Sequence, residues 1–372
     1  MFNRVYKFLE SHNCIFFRQF GFRQKHSTNH ALMEITESIR KALDASKFAC
    51  GIFIDLQKAF DTVNHNILID KLKHYGIRGT ANTWFQSYLS NRRQFVSIQG
   101  FDSTHLPIEH GVPQGSVLGP LLFLIYINDL HKAIKYSSVC HFADDTNLLN
   151  INTSPKCLQK QINIDLKFLY KWLLANKISL NCSKTELIFF HKPRSPITGF
   201  DFRIKLNVHR LFPSDSIKYL GIFLDSYLSG THHCDQLIKK LKRANGMLSK
   251  VRHYVPQCEL KSIYYAIFSS HMVYGCQVWG QRNKLNANKL DVIAKLQDRA
   301  IRIINFKQFR EDPDPLYKDN EILKIQDFIK VQNILLVHDY LKNQLPSCIQ
   351  DYFSTLDQIH PNLTTKRSRD IR

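Results

Sequence analysis

Residues 51–63 read G-I-F-I-D-L-Q-K-A-F-D-T-V, and residues 138–150 read S-V-C-H-F-A-D-D-T-N-L-L-N. The first begins as an apolar run with the form of a buried strand, interrupted only by Asp55. An ionised carboxylate in that setting is costly unless it is paired or bound to metal. Alone, Asp55 reads as a strand-end residue that caps the next helix. The second stretch changes the reading, because its strand, acidic turn and strand put Asp144 and Asp145 at the tip of a hairpin. From there they can approach Asp55 on a neighbouring strand. A lone A-D-D is a weak signal, since turns are rich in Asp. Three carboxylates brought together repel one another and need divalent cations. Two Mg²⁺ ions held this way, with Mn²⁺ as a substitute, can activate a 3′-hydroxyl and stabilise a leaving pyrophosphate.

Around these stretches the pattern alternates between strands and helices. Residues 64–75 predict an amphipathic helix stopped by Gly76. Residues 94–99 and 104–109 predict paired strands around a Gly100 turn. A helix is expected over 116–129, with Pro120 in its first turn, and another over 155–175. Short strands are expected at 178–181, 185–190 and 219–225, after which the pattern is helical. The fold class is α+β with a helical C-terminal third.

Five segments then occur in one order: F-I-D-L-Q-K-A-F-D-T-V (53–63), G-V-P-Q-G-S-V-L-G-P (111–120), F-A-D-D-T (142–146), L-N-C-S-K-T (180–185) and Y-L-G-I-F-L-D (219–225). They resemble motifs A to E of reverse transcriptases from non-LTR retrotransposons, particularly the jockey-like and chicken-repeat-like groups. Q-F-G-F-R-Q-K-H-S-T (19–28) is similar to the fingers motif that precedes them. P-L-Y-K-D-N-E-I-L (315–323) and L-P-S-C-I (345–349) are similar to the region beyond the thumb in such elements.

The resemblance implies a right-hand polymerase fold: partial fingers and an antiparallel-sheet palm over 1–228, a basic helical thumb over 229–310 and a helical C-terminal region over 311–372. It implies Asp55, Asp144 and Asp145 as metal ligands. Lys184 is implied near the triphosphate, Phe60 as a steric gate against the ribose 2′-hydroxyl, and Gln114 and Gly115 around the incoming nucleotide. Arg23 and Lys25 are implied grips on the triphosphate from the fingers, although a fork on a surface loop would also place an Arg at 23. The implied partners are an RNA template, a DNA primer or RNA–DNA duplex, and deoxynucleoside triphosphates. Complete elements of this kind carry an endonuclease domain before the polymerase. This chain is expected to lack it and to begin partway into the fingers. Two other readings stand beside this one: a catalytically inactive nucleic-acid-binding remnant, and an RNA-dependent RNA polymerase, which the bulky Phe60 and the A-D-D turn disfavour.

The composition agrees. Hydrophobic residues make up 44% of 372 and charged residues 22%, as in globular proteins, while 51 Lys+Arg against 31 Asp+Glu leave a net charge of +20. Residues 231–310 hold 15 basic and 4 acidic side chains, an excess of 11. Within them, apolar residues at 237, 241, 244, 248 and 251 form a helical stripe, with Lys239, Lys240, Lys242, Arg243 and Lys250 mainly off it. Such a face suits nucleic-acid phosphates. The nine Cys form no C-x-x-C pair, which suits reduced thiols. His253 with Cys258 and His271 with Cys276 have half the spacing of a zinc knuckle and lack the other half. No signal peptide or membrane span is legible, so a soluble nuclear or cytoplasmic location is expected. If residues 231–310 grip phosphates, affinity for an RNA–DNA duplex falls steeply with salt, and charge reversal of Lys239, Lys242 and Arg243 flattens that slope. A salt-insensitive affinity in a filter-binding titration would show that these charges only solvate their helix.

Overall fold

The computed structural model describes residues 1–192 and 200–354. The chain forms two compact units, one of Met1–Ala31 with Ile35–Leu228, the other of Leu32–Glu34 with everything from Ser229 onward.

The first unit runs α1 (Phe2–Ser11), α2 (Thr28–Asp44), β1 (Phe48–Ile54), α3 (His65–His74) and α4 (Gly79–Leu89), then four two-residue strands, β2 (Arg93–Gln94), β3 (Ser97–Ile98), β4 (Phe101–Asp102) and β5 (Leu106–Pro107). After these come α5 (Gly119–Ile127), β6 (Ser138–Phe142), β7 (Asp145–Asn152), α6 (Pro155–Ala175), β8 (Glu186–Phe190), β9 (Ile204–Leu206), β10 (His209–Leu211), β11 (Ser216–Tyr219) and β12 (Ile222–Asp225). The central sheet has the order β6-β7-β1-β8 and is antiparallel throughout. The run F-A-C-G-I-F-I, apolar throughout and buried at all but its first residue, forms β1, one of the two inner strands. Its register pairs Ile54 with Thr146 and Gly51 with Ile188.

Helix α5 is apolar all round and buried at every residue but Pro120, as a core helix is. Helix α6 turns Leu158, Ile162, Leu166, Leu169 and Leu173 inward. These side chains join Leu68, Phe85, Phe123 and Tyr126 in one core cluster. The fully buried Asp165 on α6 is matched by donors: the backbone N–H groups of Lys135, Tyr136 and Ser137 and the Ser137 hydroxyl all reach its carboxylate. That carboxylate fixes where the chain enters β6.

Several expectations shift. The helix expected from 64 is capped by the Asn64 side chain, which accepts from Ile67 N–H. The helix expected from 116 begins at Gly119, because the Ser116 hydroxyl holds a turn between Pro113 O and Gly119 N. The ribbon around Gly100 forms only as β2 with β5 and β3 with β4, its residues exposed with no face to bury. Residues 178–181 do not form a strand: the chain there is tied to the end of β1 through Gln57 N to Ser179 O and Asn181 N to Asp55 O. The single strand expected over 219–225 is the hairpin β11–β12, turning at Leu220 (φ 43°) and Gly221 (φ 81°).

The second unit is helical among its described residues. Its long helices are α7 (Thr231–Val251), α8 (Gln257–Tyr264) and, after the short α9 (Ser270–Val273) and α10 (Cys276–Trp279), α11 (Ala287–Ile304); α12 (Asp314–Asp319), α13 (Ile325–Leu341) and α14 (Ser347–Gln350) complete it. Leu237, Leu241, Ala244 and Leu248 are buried as the stripe predicts, with Val251 half-buried. The region expected from 311 is linked to the helices before it by the buried Gln297 of α11: its amide donates to the Tyr264 hydroxyl and Leu323 O and accepts from Ile325 N. The part of that region beyond 354 lies outside the described residues.

One buried group gives the fold a pH dependence. His141 on β6 is fully buried, with Nδ1 at 2.8 Å from the Thr146 hydroxyl and Nε2 without a hydrogen-bond partner. Burial, and secondarily the nearby His131, hold its pKa down to about 3. Burial likewise holds His26 and His233 to about 4. The unfolded chain therefore takes up these protons first, so the contribution of these histidines to stability is complete above about pH 6.5 and is lost as pH drops toward these values. Urea titrations of His141→Gln should show a slope shallower by up to about 1.4 kcal/mol per pH unit between these limits. An unchanged slope would mean His141 is accessible to protons when folded.

Candidate active site

Asp55 is the residue after β1, Asp144 lies in the β6–β7 turn, and Asp145 begins β7. Because Ile54 pairs with Thr146 and Phe142 with Asp145, the three carboxylates come to the same end of hydrogen-bonded strands. Their charges register on one another. Burial first, then Asp144 and Asp55, push the Asp145 carboxyl up to about 6, although part of it stays open to solvent. Asp144 is also raised, by burial first and by Asp55. This is the response expected of carboxylates that are partly buried and close to one another. Among the described residues no three His, Cys, Asp or Glu side chains close into the ligand set of a single ion. The donors are nevertheless hard carboxylate oxygens of the kind magnesium takes.

A polar cavity of about 130 Å³ opens beside them, lined by Asp55, Asp145, Lys184, Glu186 and Lys218 among others. A second, of about 420 Å³, extends from Asp55 past Lys58, Thr62 and Asn181 and shares Lys184. Lys184 reaches both because its turn is clipped to Asp55 O by Asn181 N at 2.9 Å. Lys218 and Glu186 were not singled out from the sequence. Each adjoins a motif already quoted, Tyr219 on one side and Thr185 on the other, and adjacency was the available signal.

The acidic turn is held from outside the sheet. Ala143 takes a left-handed conformation (φ 57°). Beside it, residues 18–21 run along the edge strand β6: Phe20 N donates to His141 O at 2.8 Å and His141 N to Arg18 O at 3.0 Å. The Gln19 side-chain oxygen accepts from Gly21 N at 2.9 Å and Ala143 N at 3.0 Å. A Cβ on Gly21 would stand 2.3 Å from Ala143 N. Only glycine permits this approach.

The remaining expected residues divide. Phe60 is half-buried, stacked on Phe123 at 4.4 Å and edge-on to Phe22 at 6.1 Å, so its ring is fixed. Gln114 is exposed and donates to the Asp61 carboxylate at 2.8 Å. Gly115 has φ 78° and open space where a side chain would be. Lys25 is exposed on a loop. Arg23 is mostly buried. Its guanidinium binds both Glu10 oxygens at 2.9 Å and donates to Phe16 O and Gln19 O, with 9% of the side chain exposed. All three of its nitrogens thus donate within the chain. Lys239, Lys240, Lys242, Arg243 and Lys250 all lie on the exposed face of α7.

Comparison with known proteins gives the family. The chain is 30% identical to a probable RNA-directed DNA polymerase from transposon BS of Drosophila melanogaster, over 88% of this chain and 36% of that protein. It is 27% identical to the RNA-directed DNA polymerase from mobile element jockey of the same organism, over 95% of this chain and 39% of that one. It thus spans little more than a third of these relatives. Among solved structures, the apo telomerase of Candida tropicalis is similar with a TM-score of 0.45 and 14% identity, over 89% of this chain and 55% of that chain. Residues 1–224 match the family model of reverse transcriptase (RNA-dependent DNA polymerase), and this match, covering more than half of the sequence, places the chain in the reverse transcriptase family.

Proposed function

We propose that this chain is the RNA-directed DNA polymerase segment of a non-LTR retrotransposon, adding deoxynucleotides to a primer on an RNA template. The observation that carries the reading is the convergence of Asp55, Asp144 and Asp145 at one end of β1, β6 and β7. In this reading the central sheet is the palm, the segments before β1 belong to the fingers, and α7 with its exposed cations is the thumb helix that holds the duplex by its phosphates. Asp55 and Asp144, with Asp145 assisting, would hold Mg²⁺. Bound there, the metal supplies Lewis acidity for the 3′-hydroxyl and the leaving pyrophosphate.

The chain's own residues do the rest. The burial and crowding that raise the Asp144 and Asp145 carboxyls are offset by a divalent cation, which favours their ionised forms. Lys184, over the same cavities, offers an ammonium to the leaving phosphates. Gly115 leaves room for a nucleotide beside Gln114. The deciding experiment is primer extension by the purified chain with Mg²⁺, an RNA template and all four deoxynucleotides. Asp55→Asn and Asp144→Asn are expected to lower extension by about a hundredfold or more, each removing an anionic ligand. Duplex binding should persist in both. Equal loss of binding and extension would make the carboxylates structural.

The product's chemistry is tested at Phe60. A ring fixed against Phe123 would occupy the space that a ribose 2′-oxygen needs, and misplacement by about an ångström can slow transfer roughly a hundredfold. Phe60→Val should therefore raise ribonucleotide incorporation by about that factor while deoxynucleotide incorporation falls only modestly. A parallel fall in both, with about 1–3 kcal/mol of lost stability, would return Phe60 to the core. An unmodified chain that prefers ribonucleotides would favour the RNA polymerase reading.

A further inference from the structure

Residues 14–23 form a strap anchored at both ends. At one end the Asn128 side chain, just past α5, accepts from Phe16 N at 2.7 Å and donates to Cys14 O. At the other, Arg23 is locked to Glu10 and reaches back to Phe16 O at 3.0 Å and Gln19 O at 3.4 Å. Between the anchors, the strap pairs with the outer edge of β6 through Phe20 N and Arg18 O. At its centre Gln19, 2% exposed, points its side chain at the Asp144–Asp145 turn. Two backbone N–H groups converge on one side-chain atom, so that atom must be the carboxamide oxygen.

We infer that Gln19 is a positioning residue for the acidic turn: its oxygen holds the Ala143 N–H, and thereby presents Asp144 and Asp145 to the metal and nucleotide, with Arg23 as the anchor that keeps the strap in place. The inference rests on the polymerase reading for its consequence, not for its geometry. A left-handed Ala is strained, and its amide donates to the Gln19 side chain. A buried N–H without an acceptor would be strongly unfavourable. Gln19 meets both needs, because the bond that satisfies the donor also fixes the peptide leading into Asp144. The close approach at Gly21 leaves no slack by which the turn could settle elsewhere.

The test uses the full chain with Gln19→Met, which keeps the length and loses the acceptor, Gln19→Glu, which keeps an acceptor oxygen, and Arg23→Lys, which loses the fork. Hydrogen exchange measured by mass spectrometry reads the turn directly. In Gln19→Met the amides of 143–145 should exchange about tenfold faster or more, with those of β1 and β7 unchanged. Gln19→Glu should stay slow, and Arg23→Lys should fall between. In primer extension, Gln19→Met should raise the Mg²⁺ concentration for half-maximal rate about tenfold and lower kcat, with the KM for deoxynucleotides little changed. An unaltered turn in Gln19→Met would overturn the inference. So would faster exchange throughout the sheet, which is the mark of a core residue. A KM rise confined to Arg23→Lys would restore Arg23 as a triphosphate contact and remove it from the strap. If the unmodified chain extends no primer, the polymerase reading fails, while the exchange comparison still decides the strap.

Discussion

Three carboxylates at one end of hydrogen-bonded strands repel one another, and the first unit is built to keep them there. The repulsion is visible in Asp144 and Asp145, both raised by burial and by their neighbours, Asp145 to about 6. Folding holds them by backbone register. Once Ile54 is opposite Thr146 and Phe142 opposite Asp145, no side-chain freedom can separate the groups by more than their own reach. A slip of one residue would turn every side chain of a strand to the other face, taking the buried Asn147 of β7 from the Tyr219 hydroxyl to which its amide donates. Register is thus what fixes the distance between the charges.

The turn needs its own support, since hairpin tips are where a sheet is weakest. Support comes from three directions, all through backbone groups. The Asp165 carboxylate collects the N–H groups of 135–137 at the entry to β6. The segment 18–21 pairs with β6 along its outer edge. The Gln19 oxygen takes the Ala143 amide of the turn. On the opposite side Asn181 N holds Asp55 O and brings Lys184 over the cavity. Acid and cation are therefore placed by the same short stretch of main chain.

The second unit answers to a simpler rule. An apolar stripe on α7 seals against its neighbours in that unit, and the opposite face is left to cations, so burial and charge are sorted by helical period alone. A polar residue in its core is matched rather than excluded: Gln297 uses three hydrogen bonds to tie α8, α11 and the start of α13 together.

The sequence by itself determined whatever depends on local period and local charge. An apolar run broken by Asp55, an A-D-D tip between two strands, and leucines at helical spacing beneath five exposed cations were all legible, and the structure has them. The same local view took 219–225 for one strand, because apolar content does not reveal a left-handed pair at Leu220 and Gly221. It does not reveal that the polar Gln297 is buried and bonded to both Tyr264 and Ile325. Nor does it reveal that Arg23 is paired with Glu10. Only the tertiary structure decided these, together with Gln19, Glu186 and Lys218. The reason is that a side chain bonded to a backbone amide 124 residues away leaves no periodic trace. Its meaning exists only when the fold has brought the two ends together.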